Sequence, residues 1–339
     1  SVMISDKNIN EIPKLGDTNV LAPAQYKKNK QLNNRYNFNG FVEGKGNQFA
    51  KAAALSVAEN PGHTPFNPLL IYSPPGLGKT HLLQAIGNQI LSNNPNYKLI
   101  CLPSNVGCEE GFNVGIVNST GPILIFLDSD AFFEDDGINK IVHKFNNDSS
   151  LGIVDPRIFN FFSKKIQNEP KNWPIHNRFT GCAVGLKKEL FDNVGLRPKN
   201  YFIYASEEDV GIRALDYGYK IQHFSDIIAY HKESPTTRLS SKFYYYNTRN
   251  ILWLICKYYP LLPAIREVIF HFTINFILSL KTLSLHYYFL GMIEGIFKLP
   301  LIIKNERKPL KKWYLGRLYP SGMQTVKIII SKWKKKNEK

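Results

Sequence analysis

The stretch that decides the fold is Gly121–Glu134, GPILIFLDSDAFFE. Its apolar run from Ile123 to Leu127 ends in two carboxylates one residue apart, Asp128 and Asp130. An apolar run without polar alternation is typical of a strand buried on both faces, as in a parallel sheet. Carboxylates at the carboxyl end of such a strand lie where open α/β sheets bind ligands, and side chains at i and i+2 point the same way. The stretch predicts either a nucleotide-sugar site with a divalent ion or the acidic strand end of an ATPase.

Composition and charge limit the class of protein. A chain of 339 residues is expected to form about two domains, and an apolar fraction of 43% is enough for globular cores. The net charge is +16, and the last residues, Lys332–Lys339, read KWKKKNEK. Such a basic surface suits phosphates, nucleic acid or an acidic membrane face, although a basic end is equally compatible with simple solvation.

The cysteines and the N-terminus bear on the compartment. Four cysteines are scattered without CxxC spacing, which favours a reducing compartment and argues against a zinc site or a disulfide framework; they are Cys101, Cys108, Cys182 and Cys256. The first residues lack the charged-then-apolar layout of a signal peptide. Because the chain starts with Ser1 rather than Met, we interpret it as a fragment or a processed product.

A phosphate-binding loop is predicted near residue 80. After a polar lead-in over 1–33, which we expect to be disordered, Phe49–Ala58 is rich in helix formers. The apolar Leu69–Tyr72 is a candidate strand, and it is followed by SPPGLGKT at 73–80 and a helical stretch, His81–Leu91. In a strand–loop–helix of this kind, backbone N–H groups and the helix N-terminus cradle phosphates. A plain glycine-rich turn is the alternative.

Residues 33–98 resemble the start of the AAA+ domain of bacterial replication initiators of the DnaA family. The segments YNFNGF at 36–41 and GLGKTHLLQAIGN at 76–88 carry the resemblance, although Ser73 stands where the loop pattern has its first Gly. The resemblance implies ATP-Mg binding, with Lys79 on the β/γ-phosphates and Thr80 on Mg²⁺. The implied ATP-binding residues are Gly76, Gly78, Lys79 and Thr80.

Residues 101–300 resemble family 2 glycosyltransferases of the GT-A fold. The resemblance rests on several ordered motifs: GFNVGI at 111–116, GPILIFLDSDA at 121–131, GIVDPRI at 152–158, FTGCAV at 179–184, YFIYASEEDVGIR at 201–213, and the His-bearing strand up to His231. The fold implied is α/β: an incomplete GT-A (Rossmann-like) domain, preceded by a partial P-loop AAA+ module and followed by C-terminal helices. Because these motifs flank Asp128 and Asp130, they favour the nucleotide-sugar interpretation of that strand over the ATPase one.

The resemblance implies a divalent metal, Mn²⁺ or Mg²⁺, on the donor diphosphate. Carboxylates holding such an ion stabilise the charge that builds up on phosphate as the nucleotide leaves. We predict Asp130 as a metal ligand, Asp128 on the metal or on the ribose of the substrate, and His231 on the metal or the diphosphate. A lone histidine at a strand end is equally often structural.

An inverting transfer also needs a general base for the acceptor hydroxyl. The candidates are Asp209, which we favour, then Glu208 and Glu207; the alternative is an exposed helix N-terminus. We assign Asn113 and Arg213 to substrate binding, with a helix cap as the alternative for Asn113.

One part of the expected site is missing. The family's first strands and its base-recognition loop would precede Leu102, where the P-loop module stands instead. The chain is therefore either a fusion of two gene fragments, joined near Tyr97–Leu102, or a protein in which the P-loop unit replaces the lost β-α unit. We predict domains at 1–33, 34–100, 101–241 and 242–339.

The C-terminal residues predict helices next to a membrane. Val268–Leu280 is apolar but has 13 residues, short of the ~20 that span a bilayer. With the basic Lys304–Lys312 and Lys332–Lys336, these helices are expected on an anionic membrane surface; an internally packed pair is the alternative. We therefore expect sugar transfer to a glycan or lipid-linked acceptor at the inner, cytoplasmic face of the membrane. The alternatives are a DNA-binding, ATP-binding initiator fragment and an inactive fusion.

Overall fold

The computed structural model describes residues 32–61, 64–66, 69, 71–74, 76–94, 100, 102, 104–168, 178–232 and 241–312. It divides the chain into two compact units, Ser1–Val106 and Gly107–Lys339. Most of the predicted lead-in, Cys101 and the basic Lys332–Lys336 lie outside the described residues. The predicted junction at Tyr97–Leu102 is described only at Ile100 and Leu102.

Two helices form the core of the first unit. They are α1, Gln48–Glu59, and α2, Lys79–Asn93, at the two places where the sequence predicts helices. Small residues of α1 such as Ala54 and Ala58 pack against Leu82 and Ile86 of α2. The described residues of the predicted strand, Leu69, Ile71 and Tyr72, form no strand, which corrects that prediction. A strand needs a neighbour to satisfy its backbone groups, and the described part of this unit supplies none.

The second unit is built on a five-stranded mixed sheet with the order β1-β4-β3-β5-β2. Only β3 and β5 are parallel neighbours, and every other pairing is antiparallel. The strands are β1 Ile123–Leu127, β2 Ala131–Phe133, β3 Leu151–Asn160, β4 Ala183–Lys187 and β5 Lys220–His231.

Strand β1 forms where the sequence predicts it, but its environment differs from the prediction. We expected a strand buried on both faces of a parallel sheet. Within the described residues, β1 lies at the edge of the sheet, pairs only with the antiparallel β4, and has an exposed Leu127. The difference arises because no other described strand lies on the second side of β1.

Helices cover the sheet and carry the acidic segment. They are α3 Gly107–Asn118, α4 Gly137–Asn147, α5 Lys188–Val194 and α6 Ser206–Tyr217, with a 3-10 turn at Lys199–Tyr201. The central strand β3 is buried over its first six residues. Ile141 of α4 sits so close to β4 that a Cβ on Gly185 would lie 2.4 Å from its Cγ2.

Three long helices end the described chain: α7 Ser241–Tyr258, α8 Leu261–Lys281 and α9 Leu285–Glu306. Trp253, Leu254 and Ile255 of α7 share a buried cluster with Tyr201 and Ile212, so α7 is part of the core. The predicted α/β class with C-terminal helices is confirmed. At 21 residues, α8 exceeds the 13-residue apolar stretch, and it is the one described helix whose length and composition would allow it to cross a membrane.

Candidate active site

Strand pairing brings the predicted metal ligands together. The turn after β1 leads directly into β2, and β2 pairs with the end of β5 so that Ala131 faces His231. The backbone N–H of Lys232 donates to the carbonyl of Asp130 at 2.8 Å. As a result, one ligand atom from each of Asp128, Asp130 and His231 lies within 4.8 Å of the others.

This donor set fits a divalent cation. Nε2 of His231 is 3.4 Å from Asp130, while its Nδ1 is 3.1 Å from the side-chain oxygen of Gln167. Burial and the neighbouring Asp130 raise the pKa of Asp128, which is the effect expected of two carboxylates sharing one site without a cation. Two carboxylate oxygens and an imidazole nitrogen suit Mn²⁺ well and leave positions open for phosphate oxygens.

An acidic cleft adjoins this cluster. It has a volume of about 340 Å³ and includes Glu207 and Glu208 of the first turn of α6 in its lining. Glu207 lies over Gly181, whose missing side chain leaves the space, because a Cβ there would meet the carboxylate at 2.5 Å. The next carbonyl, that of Cys182, accepts the backbone N–H of Asp128 at 2.9 Å. Two consecutive residues therefore connect the two groups of side chains: Gly181 contacts the base candidate Glu207, and Cys182 binds the backbone of the predicted metal ligand Asp128.

Glu208 is the acid in the cleft without a short ion pair. Arg178 lies 3.7 Å from it across the cleft. Burial raises the pKa of Glu208, and Arg178 opposes this only in part. A carboxylate with a raised pKa, facing a cleft, is suited to accept a proton from a hydroxyl.

Asp209, which the sequence analysis favours as the base, is placed elsewhere. Its carboxylate is buried between Lys257 at 2.8 Å and Arg213 at 2.7 Å, and it also accepts from Tyr201 and Tyr258. Burial alone would raise its pKa, but Lys257 and Arg213 outweigh this and bring the pKa to about 2. We therefore correct the order of the base candidates, because this carboxylate fixes α6 to α7 rather than facing the cleft.

The two predicted substrate-binding residues outside the acidic pair are also structural. Besides Asp209, Arg213 donates to the carbonyls of Val194, Gly195 and Leu196. The amide of Asn113 bridges the backbone of Arg197, accepting from its N–H and donating to its carbonyl, both at 2.9 Å. Neither side chain faces the cleft, and Asn113 is not a helix cap, since it lies in the middle of α3.

Arg197 is a site residue that the sequence analysis did not identify. Its buried guanidinium binds Glu109 at 2.7 Å, Glu207 at 2.8 Å and the hydroxyl of Ser206 at 2.6 Å. The ring of Phe112 stacks on it, with 4.6 Å between the guanidinium carbon and the ring centre. Arg197 thus holds Glu207 at the cleft, and its partner Glu109 is 88 residues away, beyond any local sequence signal.

The predicted P-loop residues that the structure describes include two glycines with positive φ angles and lead directly into α2. Gly76 and Gly78 have φ angles of 85° and 80°, a region that glycine enters freely. Lys79 starts α2, and its Nζ donates to the carbonyls of Ser73 at 2.7 Å and Pro74 at 2.8 Å. Thr80 is exposed in the same first turn.

Comparison with known proteins identifies two families along the chain. Residues 32–118 match the bacterial DnaA ATPase domain, and residues 78–199 match glycosyl transferase family 2. The chromosomal replication initiator protein DnaA of Lactobacillus helveticus is 46% identical over 99 residues, 29% of this chain. The chain spans only 21% of that protein's length. Both resemblances predicted from the sequence are confirmed.

Solved structures similar to this chain include glycosyltransferases. The Pyrobaculum calidifontis mannosyltransferase PcManGT, in complex with GDP-Man and Mn²⁺, is 16% identical with a TM-score of 0.41, covering 63% of this chain and 62% of that one. Residues 1–349 of S. aureus TarS are 16% identical with a TM-score of 0.43, covering 70% and 80%. The family 2 match and the acidic site support a nucleotide-sugar glycosyltransferase.

Proposed function

We propose that the chain transfers a sugar, with inversion, from a nucleotide diphosphate sugar to a glycan or lipid-linked acceptor. The convergence of Asp128, Asp130 and His231 directly after β1 carries this proposal. These three side chains would hold Mn²⁺ or Mg²⁺, which when bound stabilises the charge on the departing diphosphate. The complexes of the similar mannosyltransferase with GDP-Man and Mn²⁺, and of TarS with UDP, involve ligands of this class.

We assign the general base to Glu208, with Glu207 as the second candidate. Glu208 lines the cleft and keeps its carboxylate out of short ion pairs, whereas Arg197 binds Glu207 at 2.8 Å. Glu208 would accept the proton of the acceptor hydroxyl as that oxygen attacks the sugar. Removing a general base of this kind typically lowers the rate by about 10²- to 10⁴-fold.

The metal assignment is tested by calorimetry with UDP or GDP in the presence of MnCl₂. We expect Mn²⁺-dependent nucleotide binding in the wild type, abolished by excess chelator and by Asp130→Asn. Asp136→Asn, at an exposed acid at the start of α4, is the matched control and should bind as the wild type does. Unchanged Mn²⁺ dependence in Asp130→Asn would remove Asp130 from the ligand set.

The base assignment is tested by separating binding from transfer. Glu208→Gln should bind Mn²⁺ and nucleotide normally, yet lose transfer by about two orders of magnitude or more. Asp209→Asn should instead act through stability. Full transfer by Glu208→Gln would return the role to Glu207.

We further propose that the protein works at the inner, cytoplasmic face of the membrane. A lipid-linked acceptor would be presented there, and the exposed Lys304, Lys308, Lys311 and Lys312 suit anionic headgroups. Cell fractionation tests this location, because a protein recovered wholly in the soluble fraction would contradict it.

A second candidate function is ATP-Mg binding at the P-loop. The left-handed Gly76 and Gly78 and the position of Lys79 over the loop carbonyls favour it, beside the 46% identity to DnaA. A fluorescent ATP analogue should bind the wild type and not Lys79→Ala, with Lys51→Ala as the control. If this were the principal activity, duplex DNA should bind as well. A chain that binds neither Mn²⁺-nucleotide nor ATP would be the inactive fusion.

A further inference from the structure

Helix α8 buries polar side chains and exposes apolar ones, the reverse of a helix on the surface of a soluble protein. Its buried side chains are mostly polar and recur every four residues: Glu267, His271, Asn275 and Ser279. They face the core rather than solvent. Its exposed side chains are largely aliphatic, including Leu262 and Ile269, the latter 63% exposed. A surface helix in water normally shows the opposite arrangement.

Helix α9 repeats this pattern. Its buried positions include two glycines one turn apart, Gly291 and Gly295, and a Cβ on Gly291 would come within 2.3 Å of the Tyr245 carbonyl. Its exposed positions include Ile293, Ile296 and Phe297, the last 82% exposed. Small residues at helix contacts and polar residues between helices are the means by which helices associate in lipid, where apolar burial supplies no driving force.

The two helices form an antiparallel hairpin, and the exposed apolar side chains of α8 and α9 together are called its apolar face. They are joined by three residues, Thr282 to Ser284, and Ala264 near the start of α8 shares a buried cluster with Ile302 near the end of α9. The hairpin lies along α7, which itself packs on the catalytic unit through Tyr201 and Ile212. The apolar face therefore runs beside the enzyme rather than extending away from it.

The exposed charges around this face are all positive. Within the described residues 261–312, no Asp or Glu is exposed, and the exposed cations stand near the helix ends: Arg266, Lys281, Lys304, Lys308, Lys311 and Lys312. Cations bordering an apolar face match the anionic headgroups that surround a hydrocarbon layer.

We propose that the α8–α9 hairpin lies in the plane of the membrane and inserts its apolar face into the acyl region of one anionic leaflet. This deepens the proposed membrane location from surface attraction to hydrocarbon contact. It also places the acceptor cleft at the bilayer surface, because Asn247 lines that cleft and donates to Asn275 of α8 at 3.2 Å. A lipid-linked acceptor would then reach Glu208 from the leaflet itself.

The test is flotation of the full chain with vesicles of phosphatidylcholine and phosphatidylglycerol. Ile269→Asn and Phe297→Asn should each weaken partition into the vesicles by about tenfold or more, since each replaces an apolar side chain that would lie in the lipid with a polar one. Ile138→Asn, at a half-exposed isoleucine of α4, is the matched control and should float as the wild type does. Thermal unfolding of each variant checks that it is folded.

Depth is measured separately. A Phe297→Trp variant should show quenching by bromine-labelled acyl chains beyond that of the wild type, whereas Ile138→Trp should add none. Binding that high salt reverses completely and that Ile269→Asn leaves intact would reduce the contact to charge attraction and overturn insertion. A wild-type dimer that Ile269→Asn makes monomeric, with no flotation in either form, would assign the face to a second copy.

These vesicle measurements need neither donor nor acceptor. A chain that floats but transfers no sugar leaves the hairpin proposal standing and refutes the proposed reaction. A chain that transfers sugar to a soluble acceptor but does not float supports the proposed reaction and refutes the hairpin proposal.

Discussion

At the scale of single residues, the site depends on ionic partners that are distant in sequence. Arg197 joins α3 to α6 through Glu109 and Glu207, and Lys257 joins α6 to α7 through Asp209. The proximity of Asp128, Asp130 and His231 was predictable because an i, i+2 pair after an apolar run and a histidine at a strand end are local patterns. The pairs Arg197–Glu109 and Lys257–Asp209 were not, because their members lie 88 and 48 residues apart.

One misassignment had a local signal. Arg213 follows Asp209 by four residues within α6, which is the spacing of an ion pair on one helix face. This spacing points to a partner for Asp209 rather than to a free catalytic carboxylate. Arg213 also donates to the carbonyls of residues 194–196. These carbonyls belong to another segment of the chain, and no local sequence pattern predicts the contact.

Replacing Arg197 should destabilise the second unit strongly. Arg197→Met leaves buried Glu109 without its counter-charge, and breaking a buried pair in this way costs about 3–5 kcal/mol. Urea denaturation measures the change in the free energy of unfolding. The double variant Arg197→Met/Glu109→Gln should recover part of the loss, and a single variant as stable as the wild type would refute the role of this pair.

The rate of sugar transfer should fall in acid at a higher pH than for an ordinary glutamate. Glu208 must be deprotonated to accept a proton, and burial raises its pKa above the usual 4.5. The acid limb of kcat/KM against pH should therefore lie above 4.5. Glu207→Gln should keep that limb, whereas Glu208→Gln should remove it together with most of the rate.

At the scale of elements, the sheet was predictable in its parts but not in its pairing. The apolar run Ile123–Leu127 predicts β1 from local sequence, whereas β3 and β5 were expected from the family resemblance. The antiparallel insertion of β4 between β1 and β3 depends on contacts such as Ile125 with Gly185 and Val154 with Gly185, which no run of residues encodes. Within the described residues, no strand lies on the second side of β1, so that side is left without a pairing partner.

A methyl group on Gly185 should destabilise the sheet. It would lie 2.4 Å from Cγ2 of Ile141, and overpacking a core of this kind costs about 1–3 kcal/mol. Thermal unfolding of Gly185→Ala measures the effect. Gly111→Ala is the matched control, because no atom lies within 4 Å of the added methyl in α3, and it should be neutral or stabilising. Equal melting temperatures for the two variants would contradict this account of α4 packing.

At the scale of the whole molecule, the two family matches overlap over residues 78–118. They therefore assign no single junction, and our domain boundaries remain predictions. The overlap includes α2, the helix that follows the P-loop. An overlap of this kind is compatible with both origins, a fusion of gene fragments and a replacement of one β-α unit by another.

The second unit should bind metal without the first. Its buried clusters, including those around Trp253 and Val184, consist of its own residues, and all three proposed metal ligands belong to it. A chain of residues 107–339 should fold cooperatively by circular dichroism and bind MnCl₂ with the same affinity as the full chain. A tenfold loss of affinity would show that residues before 107 complete the site.

The pairing of β1 on one side only predicts local opening of the sheet next to the proposed metal site. Within the described part of the chain, Asp128 directly follows a strand that pairs only with β4, whereas His231 ends a strand that pairs with both β3 and β2. Backbone amides of β1 should therefore exchange with deuterium sooner than those of β5. If Mg²⁺ binds to Asp128 and His231 as proposed, it should slow that exchange in β1.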